Sequence, residues 1–279
     1  MNYIERLKSS FQKFNSLVCL GLDPVLEEIP LQEKPKEKII IFYEEILNKI
    51  IQTKIYPSVV KPNYAFYAQY GFEGLEALFK VISLYKEQGF PVILDVKRGD
   101  IGKTAQAYAC EAFDFFQADA VTLSPFLGYD SIAPFVEQFP DKGFYLLTKT
   151  SNKSSGEIQD IVYQDQPFFM YIAQKIIEWF SPGLGSVVGA TFPEQLKKIS
   201  EKFIGSNQEI PLLIPGIGTQ GGSLAETINV LKEFKDYKIH RLNSSSGINY
   251  AYKKHSNLKF DAAAVKALKE LNNQIEEFL

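Results

Sequence analysis

The sequence predicts a (β/α)8 barrel, and three observations carry that prediction. Eight short apolar runs alternate with longer segments of helical period. Polar residues gather at the C-terminal ends of the runs, and the N-terminal ends are mostly bland. No GxGxxG or GxxxxGK[ST] fingerprint follows the first run.

The candidate strands are Leu17–Asp23, Ser58–Asn63, Pro91–Lys97, Ala120–Ser124, Gly143–Lys149, Gly185–Thr191, Ile210–Gly216 and His240–Ser246. Between them, Ile39, Tyr43, Ile46, Leu47 and Ile50 form one helical stripe. Leu75, Leu78, Phe79, Ile82 and Tyr85 form another, with Gly89 as its stop. Asp261 is expected to cap a last helix that faces Val265, Leu268, Leu271 and Ile275 inward. Parallel strands need crossover helices, so this alternation implies an all-parallel sheet. Eight repeats close most naturally into a barrel. A doubly wound open sheet is the rival, but it usually carries a glycine fingerprint where this chain has Asp23-Pro24.

The 279 residues suffice for two small domains or one large α/β barrel. No linker, low-complexity tract or composition shift divides them, so residues 1–279 are expected to form one domain. The longest irregular stretch is Ser151–Gln166, after strand five, and a loop of that length is expected to act as a lid.

Apolar residues make up 46% and charged residues 23%, an ordinary globular balance. The net charge of −3 offers no basic field to nucleic acid or an anionic membrane. No apolar run approaches the roughly 20 residues of a membrane span, and Met1–Phe14 is polar and charged, without a signal-peptide core. Cys19 and Cys110 have no metal-ligand spacing and read as small buried hydrophobes of a reducing compartment. A cytoplasmic protein is expected. The only arginines are Arg6, Arg98 and Arg241, so an anion site must lean on lysines, backbone N–H groups or polar side chains.

Strand three is the most informative. By period-2 alternation Val92, Leu94 and Val96 share the face toward the outer helices, and Ile93, Asp95 and Lys97 point into the barrel. Asp100 follows where the chain turns at Gly99, and Lys61 reaches the same mouth from strand two. The expected result is two carboxylates and two ammoniums in one cleft. Each favours its neighbours' ionised form, by on the order of 4 kcal/mol per contact before desolvation at an effective dielectric of about 20. Protonated lysines are poor Schiff-base nucleophiles and good charge stabilisers or proton donors. A rim salt-bridge network without chemistry would explain a lone Asp-x-Lys pair. Lys61, Asp100 and a glycine-rich loop after strand seven tip the reading to a catalytic centre.

That loop is Pro215-Gly216-Ile217-Gly218-Thr219-Gln220-Gly221-Gly222. Glycines let backbone approach an anion, and the loops after strands seven and eight are where barrels commonly bind phosphate. Strand eight ends in Asn243-Ser244-Ser245-Ser246-Gly247, which could contribute to the same site.

With these residues in place, the chain resembles the orotidine 5′-phosphate decarboxylase family, in particular its longer bacterial, type 2 subgroup. Val92-Ile93-Leu94-Asp95-Val96-Lys97-Arg98-Gly99-Asp100-Ile101-Gly102-Lys103-Thr104 looks like the family signature. Leu20-Gly21-Leu22-Asp23-Pro24, Val60-Lys61-Pro62-Asn63, Leu123-Ser124-Pro125, Thr148-Lys149-Thr150-Ser151-Asn152 and the loop at Gly216 occur in family order. The resemblance implies a homodimeric lyase that converts orotidine monophosphate to uridine monophosphate in pyrimidine biosynthesis, with no cofactor and no metal. It implies Lys97 as the proton donor to pyrimidine C6, Asp95 beside the departing carboxylate, and Lys61 completing the charge array. It implies that Asp100, with Ile101 and Thr104, reaches the partner subunit's site. Asp23 and Lys61 would reach the ribose, Ser151 the pyrimidine edge, and Gln220 and the backbone near Gly216 the phosphate.

The chain departs from the family pattern at Ser246, where the family usually carries an arginine for the phosphate. Arg241 lies five residues earlier, near the opposite end of the barrel. Lys153 and Lys103 stand where Pro and Ser are common. Two other readings of the same residues stay open: a barrel enzyme that stabilises an enediolate with a bound metal, and a nucleotide-phosphate-binding protein without catalysis.

Overall fold

The eight apolar runs are eight parallel strands in a computed structural model that describes residues 1–217 and 222–279. They are β1 (Val18–Leu22), β2 (Val59–Pro62), β3 (Ile93–Arg98), β4 (Ala120–Leu123), β5 (Gly143–Lys149), β6 (Leu184–Val188), β7 (Leu212–Pro215) and β8 (Arg241–Ser244). The hydrogen-bonded order runs β2-β1-β8-β7-β6-β5-β4-β3. Bridges between Val60 and Val92 and between Asn63 and Asp95 join β2 to β3 and close the ring. Helices follow the strands, as parallel pairing requires. Among the described residues no helix is long and apolar enough to cross a membrane.

Alternation along the strands divides the core. Val92, Leu94, Val121, Leu146 and their counterparts pack outward against the helices. Ile93, Ala120, Tyr145 and Leu213 fill the barrel itself. The polar-looking N-terminus is helix α1 (Tyr3–Phe14), which sequence reasoning did not identify. Asn2 and Glu5 cap it reciprocally. Its apolar edge, Tyr3, Ile4 and Leu7, closes the barrel floor against Cys19, Val59 and Ile93. Gly143 permits that plug, because a Cβ there would stand 2.4 Å from the Tyr3 ring. Arg241 belongs to the floor as well. It is fully buried and donates to the carbonyls of Leu7, Lys238 and His240. With one end plugged, the mouth at the C-terminal ends of the strands is where a ligand can enter.

Three local expectations are corrected. Phe79 is 45% exposed, because Gly74 and Ala77 take the core-facing positions of the helix Gly71–Glu87 and rotate its buried face. Asp261 is not a cap: the helix Phe260–Phe278 starts one residue earlier, which puts Asp261 in its first turn, where a carboxylate favours the helix dipole. The stretch after β5 is not irregular throughout. It holds a short helix, Gly156–Gln159, and a hairpin pairing Val162–Tyr163 with Gln166–Pro167. Gln164 and Asp165, both at positive φ (49° and 61°), make the turn without the glycine that usually announces one.

Candidate active site

β2 and β3 deliver the charged centre. Lys61 Nζ donates to Asp95 Oδ2 at 3.0 Å, and Lys97 Nζ donates to Asp95 Oδ1 at 2.6 Å. The Lys61 and Asp95 side chains are 6% and 9% exposed, whereas Lys97 is 49% exposed. One ammonium is therefore buried, and the other faces the open mouth. Burial alone would push the Asp95 carboxyl upward, but Lys61 and Lys97 outweigh it and hold the group well below the usual carboxylate range. Burial likewise opposes the Lys61 charge, and the Asp95 carboxylate overrides it, holding the ammonium above its ordinary value. The Lys61–Asp95 pair is therefore ionised throughout the physiological range.

The backbone at this point is strained. Lys97 has φ 47°, a left-handed conformation that non-glycine residues adopt at a cost. The pairing of β3 with β4 shifts register between Leu94 and Arg98, so Asp95, Val96 and Lys97 stand opposite Thr122 alone. Thr122 is buried. Its Oγ1 accepts from the N–H of Val96 at 3.1 Å and of Lys97 at 3.0 Å, and donates to Asp95 Oδ1 at 2.7 Å. Sequence reasoning missed Thr122. The available signal was a polar side chain at an inward position of strand four.

Above the array lies a cavity of about 440 Å³, within the range of small-molecule sites. Its polar lining includes Lys61, Asp95, Lys97, Thr122, Ser151 and Asn243, and its apolar surface includes Leu147, Val187 and Leu213. Ser151 is held at the wall because Thr191 Oγ1 donates to its carbonyl at 3.1 Å. Gly189 lets it come that close, since a Cβ there would stand 2.7 Å from Ser151 Cα. The loop after β5 folds back onto its own strand. Gln159 accepts from Thr150 N at 2.9 Å and also donates to the Thr150 hydroxyl, while Asp160 pairs with the fully buried Lys149 ammonium at 2.7 Å. Gln159 and Gly189, like Thr122, were not singled out from the sequence. Their roles depend on a fold-back that no local motif encodes.

The remaining expected residues divide. Asp23 ends β1 at the same mouth, and its Oδ1 accepts from Asn63 N at 3.1 Å. Gly216 takes φ 97°, and its carbonyl accepts from Gly222 N at 3.1 Å, pinching the base of the β7 loop. A Cβ on Gly222 would meet Ala190 at 2.6 Å, so the pinch depends on glycine. Gln220 lies outside the described residues. Ser246 is exposed at the start of a short helix, Ser246–Asn249, after β8. Asp100 does not join the cleft of its own chain, contrary to the four-charge array read from sequence. It accepts from the N–H of Ile101 at 2.8 Å, and among the described residues it pairs with neither lysine. Thr104 is exposed on the following helix, Gly102–Cys110. Among the described residues no guanidinium lines the cavity. Arg6 pairs with Asp119, Arg98 pairs with Glu111 between the rings of Tyr64 and Tyr108, and Arg241 lies in the floor.

Residues 16–259 match the sequence model of the orotidine 5′-phosphate decarboxylase / HUMPS family. The chain belongs to that family. It is 39% identical over 279 residues to orotidine 5′-phosphate decarboxylase of Dechloromonas aromatica, an alignment covering 99% of this chain and 98% of that one. It is 36% identical over 282 residues to the Ralstonia nicotianae protein of the same name, covering 100% and 99%. Among solved structures, OMP decarboxylase of Leishmania donovani superposes with a TM-score of 0.82 at 31% identity, covering 100% of this chain and 98% of that one. The orotidine 5′-phosphate decarboxylase family thus supplies the frame in which Lys61, Asp95 and Lys97 are interpreted.

Proposed function

We propose that this chain decarboxylates orotidine 5′-phosphate to uridine 5′-phosphate, a step of pyrimidine biosynthesis, without cofactor or metal. The observation that carries the reading is the half-exposed Lys97 ammonium, held 2.6 Å from a buried carboxylate at the base of a nucleotide-sized cavity. Loss of CO2 from C6 breaks the C6–carboxylate bond and leaves its electron pair on C6, with no adjacent electron sink. A fixed ammonium stabilises that charge as it forms. Lys97 then gives a proton to C6 and is reprotonated from solvent. Asp95 aims Lys97, and its negative charge beside the substrate carboxylate favours departure of neutral CO2. Lys61, pinned to the other oxygen of Asp95, keeps that carboxylate from rotating.

In this reading Asp23 and Lys61 meet the ribose, and Ser151 meets the pyrimidine edge. The backbone at Gly216, Gln220 and the Ser246 turn hold the phosphate, whose binding closes the loop after β5. The chain acts as one catalytic domain over residues 1–279 in a cytoplasmic homodimer. Asp100, Ile101 and Thr104 serve the partner's cavity, a role supported by the exposure of Ile101 and Thr104, the partial exposure of Asp100, and the absence of all three from the cavity of their own chain.

The test is turnover. Purified protein should convert orotidine 5′-phosphate to uridine 5′-phosphate, followed by the change in pyrimidine absorbance, and a chelator should leave the rate unchanged. A Lys97→Ala variant should be inactive. No turnover by the folded, intact chain would contradict the assignment.

A further inference from the structure

The bulge in β3 leaves a hydrogen-bonding problem, and Thr122 solves it. Three residues oppose one, so the N–H groups of Val96 and Lys97 have lost their regular places in the ladder with β4. Partly buried N–H groups withdrawn from the ladder need other acceptors. Both donate to the same Thr122 oxygen, at 3.1 and 3.0 Å, which takes the place of a backbone carbonyl. An N–H can only donate, so Oγ1 accepts twice and its own proton is directed elsewhere. It goes to Asp95 Oδ1, 2.7 Å away, the same oxygen that receives Lys97 Nζ. Thr122 is 2% exposed at the base of the cavity, so the junction is largely shielded from water. The branched side chain also restricts χ1, which keeps the hydroxyl where the three bonds meet.

We propose that Thr122 is a positioning residue of the proton-donating array, fixing at once the orientation of the Asp95 carboxylate and the left-handed backbone that carries Lys97. The inference rests on the decarboxylation assigned above. Thr122 touches no reacting atom; it acts through Asp95 and Lys97. Because the hydroxyl can only donate to Asp95, it supports the carboxylate and not the protonated acid. Losing it should degrade the chemical step and leave substrate binding largely intact, since the groups assigned to ribose and phosphate lie on other strands.

The test compares the parent with Thr122→Val, Thr122→Ser and Thr122→Cys. Thr122→Val keeps the shape and removes all three bonds. It should lower kcat roughly 100-fold, the scale of a misplaced catalytic group, with KM within about threefold of the parent. Thr122→Ser restores the oxygen and should recover most of that loss. Thr122→Cys, with a weaker donor and acceptor, should fall between. Lys97 is also followed directly by reductive ¹³C-methylation and NMR, its resonance assigned with Lys97→Ala. That resonance should move toward the exposed-lysine position in Thr122→Val and return in Thr122→Ser. Equal kcat in parent and Thr122→Val, or an unmoved Lys97 resonance, overturns the proposal. So does a loss that follows only the folded fraction and is the same for Ser and Val. If Thr122→Val does not fold, the order Thr, Ser, Cys in kcat and in the Lys97 resonance decides alone. A parent that makes no uridine 5′-phosphate sinks the decarboxylation reading, and the Lys97 resonance still decides the role of Thr122.

Discussion

Lys97 donates to Asp95 across 2.6 Å from a backbone held at φ 47°. The ion pair and the strained backbone meet in the bulge, where the ammonium turns back onto a carboxylate two residues earlier. The strain is local and measurable. A left-handed residue with a Cβ costs about 1–2 kcal/mol, a cost that glycine escapes.

Lys97→Gly and Lys97→Ala should therefore both abolish turnover but differ in stability. The glycine variant should be more resistant to denaturant by about 1 kcal/mol. This order is the reverse of the one expected in an ordinary strand. Denaturation midpoints of the two inactive proteins decide the point, and equal stabilities would remove the strain from the account.

The Asp95 carboxyl is held well below its usual range in the folded protein. Its contribution to stability is therefore fully present above the unfolded value of about 3.9 and is lost as pH falls through the lower folded value. Asp95→Asn leaves the buried Lys61 ammonium unpaired and should cost about 3–5 kcal/mol near neutrality. The gap between parent and variant should narrow steadily below about pH 4. Denaturant titrations from neutral to acid pH would show it, and a gap independent of pH would count against the ionised array.

Gly189→Ala tests the wall of the cavity. The added Cβ would press on the Ser151 backbone at 2.7 Å. A cost of about 1–3 kcal/mol in stability is expected from the overpacking, with a raised KM and a smaller effect on kcat. Unchanged KM would remove Ser151 from substrate recognition.

The phosphate end should respond to an added arginine. The three guanidinium groups are engaged away from the cavity. Ser246→Arg should lower KM and tighten inhibition by uridine 5′-phosphate. One charge-assisted bond contributes about 1.5–3 kcal/mol, on the order of tenfold or more in affinity. No gain would place the phosphate away from the β8 turn.

Most of the barrel could be read from sequence, because a parallel strand buried on both faces is a short apolar run and its helix follows a 3.6-residue period. Leu17–Asp23 and its seven counterparts each contain or overlap a strand. Two failures share a cause. α1 was passed over because its buried face, Tyr3, Ile4, Leu7, Ser10 and Phe14, is interrupted by a serine within a charged segment. The Phe79 stripe was misplaced because small residues, Gly74 and Ala77, occupy the core. Within the site, Asp95 followed from alternation, but the bulge means period 2 does not govern Lys97. Its direction is set by Asp95 and Thr122, which are not adjacent to it in sequence. Asp100 shows the opposite limit. Proximity in sequence put it in the same cleft, and the turn at Gly99 takes it out.

The central claim is that Lys97 delivers the proton that replaces CO2. Turnover of orotidine 5′-phosphate in D2O tests it most directly, with NMR of the product. The intact chain should give uridine 5′-phosphate carrying deuterium at C6, and Lys97→Ala, still folded, should give none. Undiminished product from Lys97→Ala, or no product from the intact chain, would contradict the account.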